Sequence, residues 1–262
     1  MKSKSISIAA GLMLGFGLSA QAMATITVQD FWSMGEDNNT LPTDSVGGKN
    51  FTGQFSTTVS SVASPWAGST ASINYNGFAG TYMNSPSDDI SVPTTNWVLE
   101  VSVMFTGLNG AVNIASLGTD TVGDGSLHSW AKIGYSGNNF FFGRENDSYG
   151  ALSDTPVVVN TWYELAYVQY DGQLHGYVNG VAATDFGYGD PAASYDNNGQ
   201  INIGVKPGGG QNLDGYLDNV RFSTFAEGAF SPNDLLINAA PEPATMAVLG
   251  LGVVALMRRR RR

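Results

Sequence analysis

Apolar and polar residues alternate in short runs along most of the chain, and Gly, Asn, Asp and Pro break the runs. A two-residue period is the mark of half-buried strands, and no window from residue 25 to 230 sustains the period of an amphipathic helix. In "WVLEVSVMF" the alternation puts Trp97, Leu99, Val101, Val103 and Phe105 on one face, with Glu100 and Ser102 on the other. The run predicts an antiparallel strand with one buried face. "LHGYVNGVAA" holds Asn179-Gly180 between two apolar pieces, and both residues tolerate the positive φ of a type I′ turn, which predicts a tight hairpin. "GYLDNVRFST" predicts a late strand with Tyr216, Asp218, Val220 and Phe222 on one face and Leu217, Asn219 and Arg221 on the other.

One good helix signal follows, in "FSPNDLLI": Ser231 as N-cap, Pro232 at the first helical position and Asp234 near the positive end of the dipole. It has room for a turn or two. Short strands separated by turn residues every ten or so positions predict an all-β fold of two packed antiparallel sheets, a β-sandwich or jelly roll.

Both ends depart from this pattern. Residues 1–24 read as a secretory signal: Lys2 and Lys4 supply the charge, Ile8 to Leu18 the apolar stretch, and Ala20-Gln21-Ala22 and Ala22-Met23-Ala24 two cleavage sites. Residues 241–262 carry Pro241-Glu242-Pro243, then 14 uncharged residues from Ala244 to Met257, then Arg258, Arg259, Arg260, Arg261 and Arg262. Crossing a bilayer core as a helix takes roughly 20 residues, so this second apolar stretch is short for a span. Each stretch is expected to be helical, a signal helix at the front and a short apolar helix at the back. Residues 25–240 between them have the length of one all-β domain.

Charge narrows the partners. Between residues 25 and 240 the bases are Lys49, Lys132, Arg144, Lys206 and Arg221; these five stand against 21 acids, a formal charge of −16. Such a surface repels phosphate backbones, which argues against nucleic acid and leaves cations as plausible partners. The chain has no cysteine, so disulfides and thiolate metal sites are excluded.

Several stretches resemble the laminin G-like subset of the concanavalin A-like lectin and glucanase fold. They are "TTNWVLEVSVMFTG", "NIASLGTDT", "VNTWYELAYVQYDGQLHGYVNGV" and the closing "INIGVKPGGGQNLDGYLDNVRFSTFAEGAFSPNDL", with "DFWSMGEDN" at the start. The resemblance implies a sandwich that hosts lectins, adhesion modules and hydrolases alike, so function rests on individual residues.

Enzymes of this fold that resemble laminarinases carry acids at alternate positions of one strand, so that nucleophile and acid/base share a groove. In "FFGRENDSYG" Glu145 and Asp147 have the spacing, but Tyr149 stands where the third acid belongs and Gly150 follows. His128 and His175, the two histidines, sit in no Ser-His-Asp context, and "GVKPGGGQ" lacks the ending of a phosphate loop and reads as a surface turn. These patterns point away from catalysis.

Binding is the alternative. Calcium takes six to eight oxygens from flexible loops, and laminin G-like domains often hold one at the rim, which makes Asp120, Asp124 and Asp196 the candidate ligands here. Asp218 shares its predicted face with Val220 and Phe222, which assigns it a structural role rather than a place beside Asp214 in a metal site. Sugar recognition uses aromatic rings with amide, carboxylate and guanidinium groups, and the stretch from Tyr135 supplies Arg144, Asn146 and Tyr149 beyond the core positions Phe140 to Phe142. Polysaccharide or a surface protein is therefore the expected ligand, with a laminarinase-type hydrolase and a purely structural matrix protein as the competing readings.

The tail resembles the PEP-CTERM sorting signal of Gram-negative bacteria. That implies recognition by an exosortase, cleavage near Pro-Glu-Pro and transient insertion of the apolar segment, with the arginines held on the cytoplasmic side; a permanent anchor is the alternative, since flanking residues and local thinning can accommodate a short span. The expected destination is the cell surface or extracellular matrix.

Overall fold

The computed structural model describes residues 26–238 except 55–56, 67, 78–82, 85–92, 94, 122–126, 144–149, 171–172, 187–199, 207–208 and 229. Its strands begin with β1 (Thr27–Trp32), β2 (Thr52–Gln54), β3 (Thr58–Ser60), β4 (Ser72–Asn76), β5 (Met83–Asn84) and β6 (Trp97–Phe105). β7 (Val112–Thr121), β8 (Leu127–Ser136), β9 (Asn139–Gly143) and β10 (Gly150–Leu152) follow. The last are β11 (Trp162–Tyr170), β12 (Gln173–Val178), β13 (Val181–Ala182), β14 (Thr184–Phe186), β15 (Ile201–Ile203) and β16 (Asp214–Thr224).

They form two antiparallel sheets. The first runs β13-β12-β11-β6-β16-β4-β3, with β1 on the second half of β16; the second runs β14-β10-β9-β8-β7-β15-β5-β2. The expected all-β sandwich is present. The expected signal helix and apolar C-terminal helix lie outside the described residues. Among the described residues no helix is long and apolar enough to cross a membrane.

The core forms where the inner faces meet. Trp97, Leu99, Val101, Val103 and Phe105 of β6 pack with Leu165 and Tyr167 of β11 and with Ile114, Ile133, Phe140 and Phe142 of the second sheet. Phe140 lies 4.9 Å from the ring of Tyr163 and Phe142 6.3 Å from that of Tyr167, so aromatic contacts hold the sheets together. The Asn179-Gly180 hairpin joins β12 to β13 as the sequence predicts, with φ of 51° and 76° and Val178 opposite Val181. Ser231 caps a 3₁₀ turn at Pro232–Asp234, accepting the Asn233 N–H at 3.2 Å, and a second turn covers Leu236–Asn238.

Two strand expectations need correction. All nine residues of β6 are buried, Glu100 and Ser102 included, because the outer face of the first sheet is itself covered. Val98, Ala166, Val168 and Tyr177 on that face pack under Phe225 and Leu235, with Ile26, Tyr170, Phe230 and Ile237 around them. In β16 the alternation does not run through. A bulge between Asp218 and Arg221, with Asn219 at φ 46°, shifts the phase by one residue. Leu217, Val220 and Phe222 therefore share the core face, whereas Asp218 and Arg221 point outward beside Ser102 and Glu100.

Candidate functional site

Most residues singled out in the sequence belong to segments outside the described residues. Arg144, Asn146 and Tyr149 do, with Glu145 and Asp147 between them; so do Asp124 and Asp196, and the sorting residues from Pro241 to Arg262. Asp120 lies in β7 opposite His128 of β8, one rung before the Thr121–Leu127 pair that closes the described hairpin.

The strands fix where these segments attach. Gly143 pairs with both Lys132 and Gly150, Gly150 pairs with Phe186, and the Gly118 N–H donates to the Gln200 carbonyl at 2.7 Å. Segments 122–126, 144–149 and 187–199 thus all leave from one end of the second sheet. The β7–β8 pair runs about five residues, roughly 16 Å, beyond the rung of Lys132. The other histidine, His175, stacks on Tyr170 at 4.2 Å, which gives it a packing role. In "GVKPGGGQ" the described residues on either side of 207–208 bond to each other, from the Gly209 N–H to the Lys206 carbonyl and from the Lys206 N–H to the Gly210 carbonyl.

A second constellation lies on the outer face of the first sheet, where the sequence pattern placed nothing functional. Glu100 and Ser102 of β6, Glu164 of β11, and Asp218 and Arg221 of β16 point outward from three adjacent strands, and all are buried. Two covers seal them. From the β3–β4 loop, Ser69 donates to Asp218 at 2.6 Å, and Ser64 accepts from the Asn219 amide at 3.2 Å. From the C-terminal segment, the Leu236 N–H donates to Glu100 Oε1 at 2.7 Å.

Arg221 is the counter-ion of this cluster. Its guanidinium donates through Nε and Nη2 to Glu100 Oε2 and through Nη2 to the Asp234 carbonyl at 3.0 Å. Glu164 accepts from the Ser102 hydroxyl at 2.7 Å, and its other oxygen is buried without a hydrogen-bond partner. Burial, then the neighbouring Glu100 charge, pushes its carboxyl well above the usual range. Burial also raises Glu100, against the pull of Arg221, and lifts Asp218 to about 6. One guanidinium among three desolvated carboxylates favours protonation of the two acids that it does not touch. Among the described residues no group of three or more His, Cys, Asp or Glu side chains is arranged to hold a metal ion.

The structural role expected for Asp218 is borne out, on a different face from the one predicted: it ties β16 to the β3–β4 loop. Asp214 lies at the strand's start, where it accepts from the Thr106 hydroxyl at 2.9 Å.

Beyond the sealed acids the same face is open. Trp162, Met104, Tyr216, Asn74 and Thr58 occupy one row across β11, β6, β16, β4 and β3. Trp162, Tyr216 and Asn74 are half-buried and Thr58 is exposed, while Trp66 of the β3–β4 loop stands at 88° to Trp162 with 6.5 Å between the rings. A signal for Trp162 was in the sequence: it alternates with Glu164, not with the core residues Tyr163 and Leu165.

Comparison with known proteins agrees with this architecture. The model of the concanavalin A-like lectin/glucanases superfamily, in its laminin G form, matches residues 76–229, and the chain belongs to that superfamily. The PEP-CTERM protein-sorting motif matches residues 239–262, so the chain carries the signal of an exported protein processed by an exosortase at the surface of a Gram-negative bacterium. Among curated proteins none matches.

Solved structures share the fold at low identity. Domain 4 of AbnA, a GH43 extracellular arabinanase from Geobacillus stearothermophilus in complex with arabinotriose, has a TM-score of 0.58 at 16% identity, over 81% of this chain and 97% of that one. The Trypanosoma rangeli sialidase in complex with the inhibitor DANA gives 0.57 at 12%, over 80% of this chain but only 32% of the sialidase. The receptor binding domain of botulinum neurotoxin type G gives 0.50 at 11%, over 81% of this chain and 50% of that one.

Proposed function

We propose that this is a non-catalytic binding module, exported with a cleaved signal peptide and released or displayed after exosortase processing, whose ligand is a polysaccharide of the cell surface or matrix. The observation that carries the non-catalytic reading is the state of the sheet acids. Among the described residues, Glu100, Glu164 and Asp218 are carboxylates that adjacent strands bring together, and they are sealed from solvent and engaged with Arg221, Ser102 and Ser69. A retaining glycosidase needs two carboxyl groups about 5 to 5.5 Å apart on either side of an accessible bond. The complex of the arabinanase domain with arabinotriose supports a glycan as the ligand class.

The loop end of the second sheet is the first place for that ligand, with Arg144, Asn146 and Tyr149 supplying donors and a ring. Calcium bound by Asp120, Asp124 and Asp196 belongs to the same reading, as a structural ion. The discriminating experiment puts the full-length chain on a panel of polysaccharides, with calcium and with chelator, alongside a reducing-end assay on β-glucans. The expected outcome is retention without product release. Sugar release that vanishes in Glu145→Gln would establish a hydrolase instead.

A further inference from the structure

Trp32 and Trp97 are fully buried, as core tryptophans are, whereas Trp66 and Trp162 are half-buried and stand edge to face on the outside of the first sheet. Trp162 is two strands from Tyr216, about 10 Å by the spacing of neighbouring strands, and Met104, 8% exposed, forms the floor between them. Asn74 and Thr58 continue the row on β4 and β3. The indole N–H groups of Trp66 and Trp162, the Tyr216 hydroxyl and the Asn74 amide make no hydrogen bond to another described residue, so ring faces and free donors lie side by side. That pairing suits a ligand with apolar faces and a hydroxyl edge. The spacing of the two strands fits a short run of sugar residues better than a single one.

Charge selects among such ligands. Arg221 is the one Lys or Arg on the outward positions of this sheet's described strands, and it is committed to Glu100. Asp214 stands two rungs beyond Tyr216 and adds negative charge at the edge. An acidic polysaccharide would be repelled and would find no counter-ion.

We propose that the row Trp162, Met104, Tyr216, Asn74 and Thr58, flanked by Trp66, is a stacking platform for a neutral polysaccharide, separate from the loop end of the second sheet. It rests on the reading of the protein as a glycan-binding module and adds a second surface to that binding. The β3–β4 loop serves it twice, as the cover of the buried acids through Ser64 and Ser69 and as the carrier of Trp66.

The test is affinity electrophoresis of the full-length chain in gels cast with neutral glycans (arabinan, β-glucan, galactomannan) and with acidic ones (alginate, pectate). Retention by at least one neutral glycan is expected, weakened about tenfold or more in Trp162→Ala and in Tyr216→Ala but not in Val181→Ala, an exposed position on the far edge strand of the same sheet. Trp162→Phe, which keeps a ring, restores most of it, and unchanged thermal midpoints separate lost binding from lost folding. Weakening confined to Arg144→Ala and Tyr149→Ala would overturn the platform and leave the glycan reading standing. Retention by acidic glycans alone overturns the platform, and no retention by any glycan overturns both.

Discussion

Asp218 and Asp30 are the residues whose burial has a measurable consequence. Asp30 of β1 is fully buried with the Lys49 ammonium 3.2 Å away, and burial lifts its carboxyl to about 6 despite that cation; Asp218 is raised to the same value. An acid held above its unfolded value binds more protons in the folded state. Its contribution to stability is therefore complete below the ordinary carboxyl value of 3.8 and is lost as pH rises through about 6. Each group contributes on the order of 2–3 kcal/mol across that window. Glu100 and Glu164 shift in the same direction. Asp44 opposes them: four backbone N–H groups outweigh its burial and hold it below the usual range, so its contribution disappears only at lower pH. Thermal melts should show the domain more stable at pH 5 than at pH 8, and Asp218→Asn should flatten the slope. An unchanged slope in that variant would mean that Asp218 titrates normally. Alternation marked Asp218 as costly to bury, which was correct. Its partners were not legible, because Ser64 and Ser69 are joined to it only by a contact more than 140 residues distant in sequence.

At the scale of elements, short-range signals served best. The Asn-Gly hairpin, the capped turn at Ser231 and the core face of β6 depend on adjacent residues, and all formed as the sequence predicts. β16 failed because a single residue decides its phase. Asn219 adopts φ 46°, a conformation Asn tolerates better than most residues, and its amide reaches Ser64 in the covering loop. The bulge divides the work of the strand. Before it, Asp214 to Leu217 pair with β4; after it, Val220 to Thr224 pair with β1. It also turns Arg221 outward to Glu100 while returning Val220 and Phe222 to the core. A β-branched residue at this φ would strain the backbone by about 1–3 kcal/mol. Asn219→Val should therefore lower the urea midpoint clearly more than Asn219→Gly, which accepts positive φ and loses only the bond to Ser64. Equal effects of the two substitutions would indicate that the side-chain bond, not the backbone geometry, holds the bulge. The open row of aromatics was missed for a related reason: Trp162, Tyr216 and Asn74 are each ordinary in their own strands, and only the pairing of four strands aligns them.

For the whole molecule, the question is how the sandwich connects to the signal that sorts it. After β16 the chain turns back across the outer face of the first sheet, where Phe225, Leu235 and their neighbours cover Val98, Ala166, Val168 and Tyr177. Glu100 and Arg221 grip this segment by its backbone, through the Leu236 N–H and the Asp234 carbonyl. The second turn spans Leu236–Asn238, and Pro-Glu-Pro begins at Pro241. Among the described residues, the contacts that close the sheet reach from the segment up to Ile237, which predicts that cleavage at Pro241 leaves the fold intact. A chain ending at residue 240 should melt at the same temperature as the full-length protein. One ending at residue 224 would expose the apolar patch and strip Glu100 of its Leu236 donor, and should aggregate or melt far lower. Equal melting of the two truncations would show that residues 225–238 are a passive linker, not the cover that completes the sheet.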